Sequence, residues 1–185
     1  MINDTLDEAD EKMGKSVEAT REDFATIRAG RATPAVFNKI TVEYYGSPTP
    51  LQQLATFTQP EARVINISPF DISAMNAIEK AIRESDLGIN PSNDGKILRA
   101  VFPELTEERR KEYVKLAKEK AEQGRIAVRQ VRQKAKQSLE KLEKDGEVGK
   151  DDVTGAEKRL DAITKKHTDV IDDLLKHKEA ELLEV

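Results

Sequence analysis

A chain of 185 residues suits one large domain or two small ones, and 36% charged residues with only 4% aromatics and no Trp argue against an all-β sandwich. Hydrophobic residues still reach 37%, which excludes wholesale disorder, and the lack of Cys removes disulfides, thiolate metal sites and Cys nucleophiles together. A net charge of −4 argues against a nucleic-acid binder, but it averages four unlike segments: residues 1–30 carry −4, 31–104 carry −1, 105–146 carry +5 and 147–185 carry −4.

In the first segment Ile2, Leu6, Ala9, Met13, Val17, Thr20, Phe24 and Ile27 follow one another at three- or four-residue steps, the spacing of one helical face. Gly30 is expected to end this helix, and Pro34 to prevent its continuation. The opening residues, Met1 to Glu8, have neither a basic nor an apolar leader pattern, and no apolar run approaches ~20 residues, so no membrane span and a cytoplasmic location are expected.

Residues 31–104 change character. Ile40–Tyr44 alternates as a half-buried strand does, and Gly46-Ser47-Pro48-Thr49-Pro50 reads as a turn cluster. Further strands are expected within 54–58, 63–68 and 97–102. A short helix is expected over 73–85, with Met75, Ile78 and Ile82 on one face, and a turn at Asn93-Asp94-Gly95.

A long helix should start at Thr106 as N-cap and run to Lys144, about 39 residues or roughly 58 Å. Its seam is Val114, Ala117, Ala121, Gly124, Val128, Val131, Ala135, Leu139 and Leu142. The last helix, capped by Asp151 or Asp152, lines Val153, Ala156, Leu160, Ile163, Val170, Leu174 and Leu182 along one side. The short Asp145–Lys150 link makes these two helices antiparallel neighbours. Three stripes that cannot bury themselves alone predict an α+β protein: a discontinuous three-helix bundle, 1–29 and 105–185, carrying an inserted α+β domain, 31–104. The chain crosses between them at 30–34 and 102–105, and the paired short connections Gly30-Arg31-Ala32-Thr33-Pro34 and Pro103-Glu104-Leu105 are expected to act as a hinge.

Enzymatic chemistry finds little support. His167 and His177 lie ten residues apart on one helix, poor geometry for a shared metal ion, and read as a seam-edge and a solvated residue. No phosphate loop, nucleophile elbow or zinc-protease motif occurs. The acids read as solvated helix faces.

The strongest signal is basic. From Gln123 to Leu139 the chain holds Arg125, Arg129, Arg132, Lys134 and Lys136 with no acid. Relative to Arg125, the residues Arg129, Arg132 and Lys136 fall at about 40°, 340° and 20° around the helix. Lys111 and Lys118 extend this stripe, and Glu122 interrupts it. Ordinary helix faces interleave acids four residues away. Four unpartnered cations point instead to a phosphate backbone, and the lack of aromatics among them favours structured RNA over stacked single strands.

Four stretches then carry a resemblance over essentially the whole chain: Ile27–Pro34, Val42–Leu51, Leu105–Lys111 and Ala121–Arg132. Their collinear sequence resembles the ribosome recycling factor family. The resemblance implies a two-domain, L-shaped α+β protein, an elongated three-helix bundle with a small β/α/β insert. It implies binding to the large ribosomal subunit through its rRNA, and separation of the subunits with elongation factor G and GTP hydrolysis. No cofactor, metal, DNA or membrane partner is expected, nor an active site, and the chain is expected to be a monomer. The family's rRNA-contacting arginines map onto Arg110, Arg129 and Arg132, with Arg28 and Arg31 near the hinge. With the stripe, the candidate set is Arg132, Arg129, Arg110, Arg125, Lys136, Arg28, Arg31, Lys118 and Lys111. The family often has Ala where this chain has Gly124, so bending or looser packing is expected there. It also often has Arg-Asp where this chain has Gln133-Lys134. A helical chaperone-like or structural protein that binds partner helices is the alternative, favoured if the apolar seams are exposed.

Overall fold

The computed structural model describes residues 1–184. In chain order its helices and strands are α1 (Ile2–Ala25), β1 (Thr41–Tyr44), β2 (Ser47–Pro50), β3 (Ala55–Glu61), β4 (Val64–Pro69), α2 (Met75–Arg83), β5 (Ser92–Asn93), β6 (Leu98–Val101), α3 (Glu107–Lys144) and α4 (Lys150–Leu183). The α+β chain packs into two compact units. One holds Met1–Phe24 and Val114–Ala180, the other Ala25–Tyr113 with the chain from Glu181 onward.

The first unit is helical. Leu6, Ala9, Met13, Val17, Thr20 and Phe24 are buried on α1, and Ala117, Ala121, Gly124, Val128, Ala135 and Leu139 on α3. On α4 the buried face is Val153, Ala156, Leu160, His167 and Ile171. Ile171 therefore takes the place expected of Val170, which is only half-buried. His167 sits seven residues beyond Leu160, and Ile171 four beyond that, so both stay on the face that Leu160 begins. The seams bury one another, which removes the exposed apolar stripe that a partner-helix binder needs.

Local rules set the helix ends. Thr106 Oγ1 accepts from the Arg109 amide at 3.1 Å, the N-cap bond expected of α3. At the other end Gly146 has φ +74°. Its amide reaches Glu143 O and the Glu147 amide reaches Leu142 O, both at 3.0 Å, which together make a Schellman motif. α4 begins at Lys150, two residues earlier than a cap at Asp151 would place it and three earlier than one at Asp152. Asp152 is not its cap: it lies inside the first turn and accepts from the Gly149 amide at 3.3 Å. α1 stops at Ala25 and does not run on to Gly30. The chain leaves the helix there so that Ile27 and Arg28 pack into the second unit.

In the second unit β1 and β2 form a hairpin closed by Tyr45 and Gly46, with φ +48° and +75°. Ser47–Pro50 is thus a strand, not the turn its prolines suggest. Pro48 pairs with Glu43 and Pro50 with Thr41. Bonded and non-bonded pairs alternate along an antiparallel ladder. With Tyr44–Ser47 closing the two-residue loop, and Leu51 N bonded to Ile40 O at 3.0 Å, both prolines fall where no amide is required. The larger sheet has the order β3-β4-β6-β5, antiparallel throughout, and includes the two-residue β5 that the sequence pattern did not suggest. α2 buries Met75, Ile78 and Ile82 in a core that includes Phe37 and Phe102.

Candidate nucleic-acid interface

Each candidate cation is placed by the helix or crossing that carries it. Lys118, Arg125, Arg129, Arg132 and Lys136 belong to the helical unit, and Arg28, Arg31, Arg110 and Lys111 to the other.

In the helical unit the stripe is not unpartnered. Arg125 Nε donates to Asp172 Oδ1 at 2.8 Å and its Nη1 to Glu122 at 3.1 Å. Arg132 Nε donates to Asp161 Oδ1 at 2.8 Å. Lys118 lies 3.9 Å from Glu179, and Arg129 Nη1 lies 3.4 Å from Glu122. The expectation of cations without partners is corrected here. The acid-free window holds along α3, but the acids arrive from antiparallel α4 and from Glu122 just outside the window. Lys136 alone of these five makes no ion pair among the described residues.

Exposure differs within the row and is greatest at Arg129. The Arg125 side chain is 20% exposed, Arg132 36% and Arg129 57%. Burial works against the Arg125 cation, but the hydrogen bonds it donates to Asp172 and Glu122 outweigh it and hold its pKa above the ordinary value. Arg125 and Arg129 each give Nη1 to Glu122, while Arg132 is held at Nε alone. A row of guanidinium groups so disposed can take phosphate oxygens by charge-assisted hydrogen bonds.

In the second unit Arg31 is exposed, and Lys111 is exposed and 3.5 Å from Glu107. Arg110 Nη1 donates to Leu182 O at 2.9 Å and also to Glu184 O, so it ties down the end of α4. Arg28 is only 5% exposed. Its Nη1 donates to Pro103 O at 2.6 Å, its Nε to Ala29 O at 3.3 Å, and its guanidinium lies 5.4 Å from the Phe102 ring centroid. Burial, with Arg63 and Arg110 nearby, lowers its pKa. In this structure Arg28 joins the two segments expected to form the hinge, and both lie in the second unit. Of the residues expected to form the hinge, Ala32 and Leu105 are buried, while Thr33, Pro103 and Glu104 are exposed; Gly30 and Pro34 are intermediate.

The residues that sequence reasoning missed are Asp161, Asp172, Glu179 and Glu122. One signal for them existed: Lys118, Arg125 and Arg132 recur every seven residues, and Asp161, Asp172 and Glu179 share one face of the next helix. Asp10 was missed as well. It receives His167 Nε2 at 2.6 Å and so partners the seam histidine.

Fold and site together define a two-unit α+β protein whose helical unit offers polyanions an ordered row of arginines. Residues 20–183 match the family model described as ribosome recycling factor. The ribosome-recycling factor of Nocardioides sp. is 73% identical over 185 residues, all of both chains. A solution structure of the ribosome recycling factor superposes with a TM-score of 0.77 at 41% identity, covering 100% of this chain and 98% of that one. Models of the T. thermophilus ribosome recycling factor and the E. coli elongation factor G bound to the E. coli post-termination complex give 0.67 at 41% identity, covering both chains fully. The chain belongs to the ribosome recycling factor family. It is a non-enzymatic translation factor that acts in ribosome recycling. Among the described residues no helix is long and apolar enough to cross a membrane.

Proposed function

We propose that the helical unit docks on the rRNA of the large ribosomal subunit through Arg132, Arg129 and Arg125, with Lys136 and Lys118 at the ends of the row. With elongation factor G and GTP hydrolysis the docked factor separates the subunits of the post-termination ribosome in the cytoplasm, acting as a monomer. The observation that carries this reading is the row itself, three arginines held in order on one helix face of an otherwise acidic protein. Arg110, Arg31 and Lys111 add contacts from the second unit, and Arg28 supports them by holding the crossings in place. The relative bound with elongation factor G supports the partner assignment. The insert has net charge −1, and it exposes Tyr45, Phe70 and Ile72 around the 2.8 Å Tyr44–Asp71 hydrogen bond, a surface suited to a protein partner. Gly30-Arg31-Ala32-Thr33-Pro34 and Pro103-Glu104-Leu105 serve as the hinge between bundle and insert.

Co-sedimentation of Arg132→Ala with isolated large subunits tests the docking surface. One lost charge-assisted contact costs about 1.5–3 kcal/mol, roughly ten- to 150-fold in affinity. The pair it leaves is exposed, so the melting temperature should barely move. Parental affinity in this variant would remove the row from the interface.

A further inference from the structure

Lys118, Arg125 and Arg132 lie within about 40° of one another around α3. Glu179, Asp172 and Asp161 lie within about 20° on α4 and descend in number as their partners ascend, as antiparallel helices require. Both aspartates take their arginine at Nε, each at 2.8 Å. A guanidinium is a planar fork with five N–H donors. A bond at Nε fixes the plane of that fork and leaves the Nη groups for another acceptor. In Arg132 both Nη groups are without a partner among the described residues, and in Arg125 only Nη1 is engaged, with Glu122.

Two consequences follow for a polyanion approaching this face. The carboxylates cancel much of the local positive charge, which weakens attraction to any nucleic acid. They also order the arginines before binding, so a partner with phosphates at matching positions loses little side-chain freedom on contact. A folded rRNA surface meets both effects and can recover through the second what it loses through the first. A flexible strand meets only the loss.

We propose that Asp161 and Asp172 are specificity-determining residues, which hold Arg132 and Arg125 by the Nε edge so that structured rRNA is favoured over unstructured RNA. This rests on the reading of the row as the docking surface. They are positioning residues, acting through the arginines and not on the RNA.

The test compares Asp161→Asn, Asp172→Asn and the double variant in equilibrium binding to isolated large subunits and to poly(U), at one fixed salt concentration. Poly(U) affinity should rise about three- to tenfold in the double variant, while large-subunit affinity stays level or falls, so the ratio of large-subunit to poly(U) affinity drops by about threefold or more. Asp173→Asn adds the same charge as either single variant, from an exposed site that pairs with no arginine among the described residues, and should leave the ratio unchanged. Asp161→Glu should recover part of the selectivity that Asp161→Asn loses. A double-variant ratio within about twofold of the parent's, whichever way the two affinities move, overturns the proposal. Arg132→Ala separates the two levels. If it retains large-subunit affinity, the docking surface is wrong and this inference falls with it. If it loses affinity while the Asn variants behave like Asp173→Asn, only the role of the aspartates is refuted.

Discussion

Thr20 of α1 packs against Gly124 of α3 so closely that its hydroxyl occupies the space a β-carbon would need. Ile171 Cδ1 of α4 closes the same spot from the other side, 3.2 Å from that position. Gly124 is therefore a contact glycine where three helices meet, and the looser packing expected there is not found. Gly124→Ala gains about 1 kcal/mol of helix propensity but overpacks a buried site, which costs about 1–3 kcal/mol. The net expectation is a loss of about 1 kcal/mol in urea unfolding, reversed when Thr20→Ala is added. Gly14 sets the contrast, since a β-carbon there would meet only His167 Cε1, at 3.8 Å. Gly14→Ala should stabilise, by up to about 1 kcal/mol.

What could be read from the chain alone divides along the range of the interactions. The Thr106 cap, the α3 seam and the basic row depend on neighbours three to seven residues away, and the sequence carries those spacings directly. The Arg132–Asp161 and Arg125–Asp172 pairs span 29 and 47 residues. They require the register of two helices, which no local pattern specifies. Gly124 was legible as a helical glycine but not as a contact, because Thr20 lies more than a hundred residues away. The prolines of Ser47–Pro50 misled for a different reason. Proline is read as a strand breaker, but at the non-bonded positions of a hairpin it costs no ladder bond.

Docking through the row should weaken with salt despite the sequence pI of 5.4. Each neutralised phosphate contributes a slope of about −0.7 to −0.9 in log K against log salt, so three to five contacts give about −2 to −4. Salt also loosens the ion pairs to Asp161 and Asp172, which frees the arginines and moves the slope toward the shallow end of that range. Large-subunit binding titrated from low to moderate ionic strength measures it. A flat response would rule out the row as the docking surface.

Acid should act on the helical unit through Asp10. The hydrogen bond from His167 holds its carboxyl below the ordinary carboxylate value, against the opposing effect of burial and with help from Lys166 at 3.5 Å. A pKa depressed in the folded state gives stability that is present above the unfolded value, about pH 4, and lost as pH falls through the folded one. The Asp10 side chain is 42% exposed, so the contribution should stay under about 1 kcal/mol. Asp10→Asn should unfold more readily than the parent at pH 6, and the difference should narrow as pH falls below about 4, the unfolded value, and close once pH is below the folded one. Denaturant midpoints across that range would show it, and a constant gap would exclude the linkage.

Motion at the crossings should be needed for subunit separation but not for docking. The two proposed hinge segments, Gly30–Pro34 and Pro103–Leu105, both lie in the second unit, towards its borders at Ala25 and Tyr113, and each is pinned within that unit. Ala32 donates its amide to Ala62 O at 3.0 Å, and Phe102 donates its amide to Arg63 O at 2.7 Å. Outside these fixed points the freedom left is that of Gly30 and Arg31 on one segment and Glu104 on the other, since Arg28 holds Pro103 O. Gly30 supplies backbone range, while Pro103 has its φ set by its ring. The arginines assigned to docking through Arg132, Arg129 and Arg125 all lie on α3 within one unit, so a restraint on the crossings leaves them unchanged. A disulfide engineered across the hinge should then bind large subunits within about twofold of the parent, yet fail in separation driven by elongation factor G. Reduction should restore activity. Full separation with the crosslink verified in place would mean that the crossings are passive connectors.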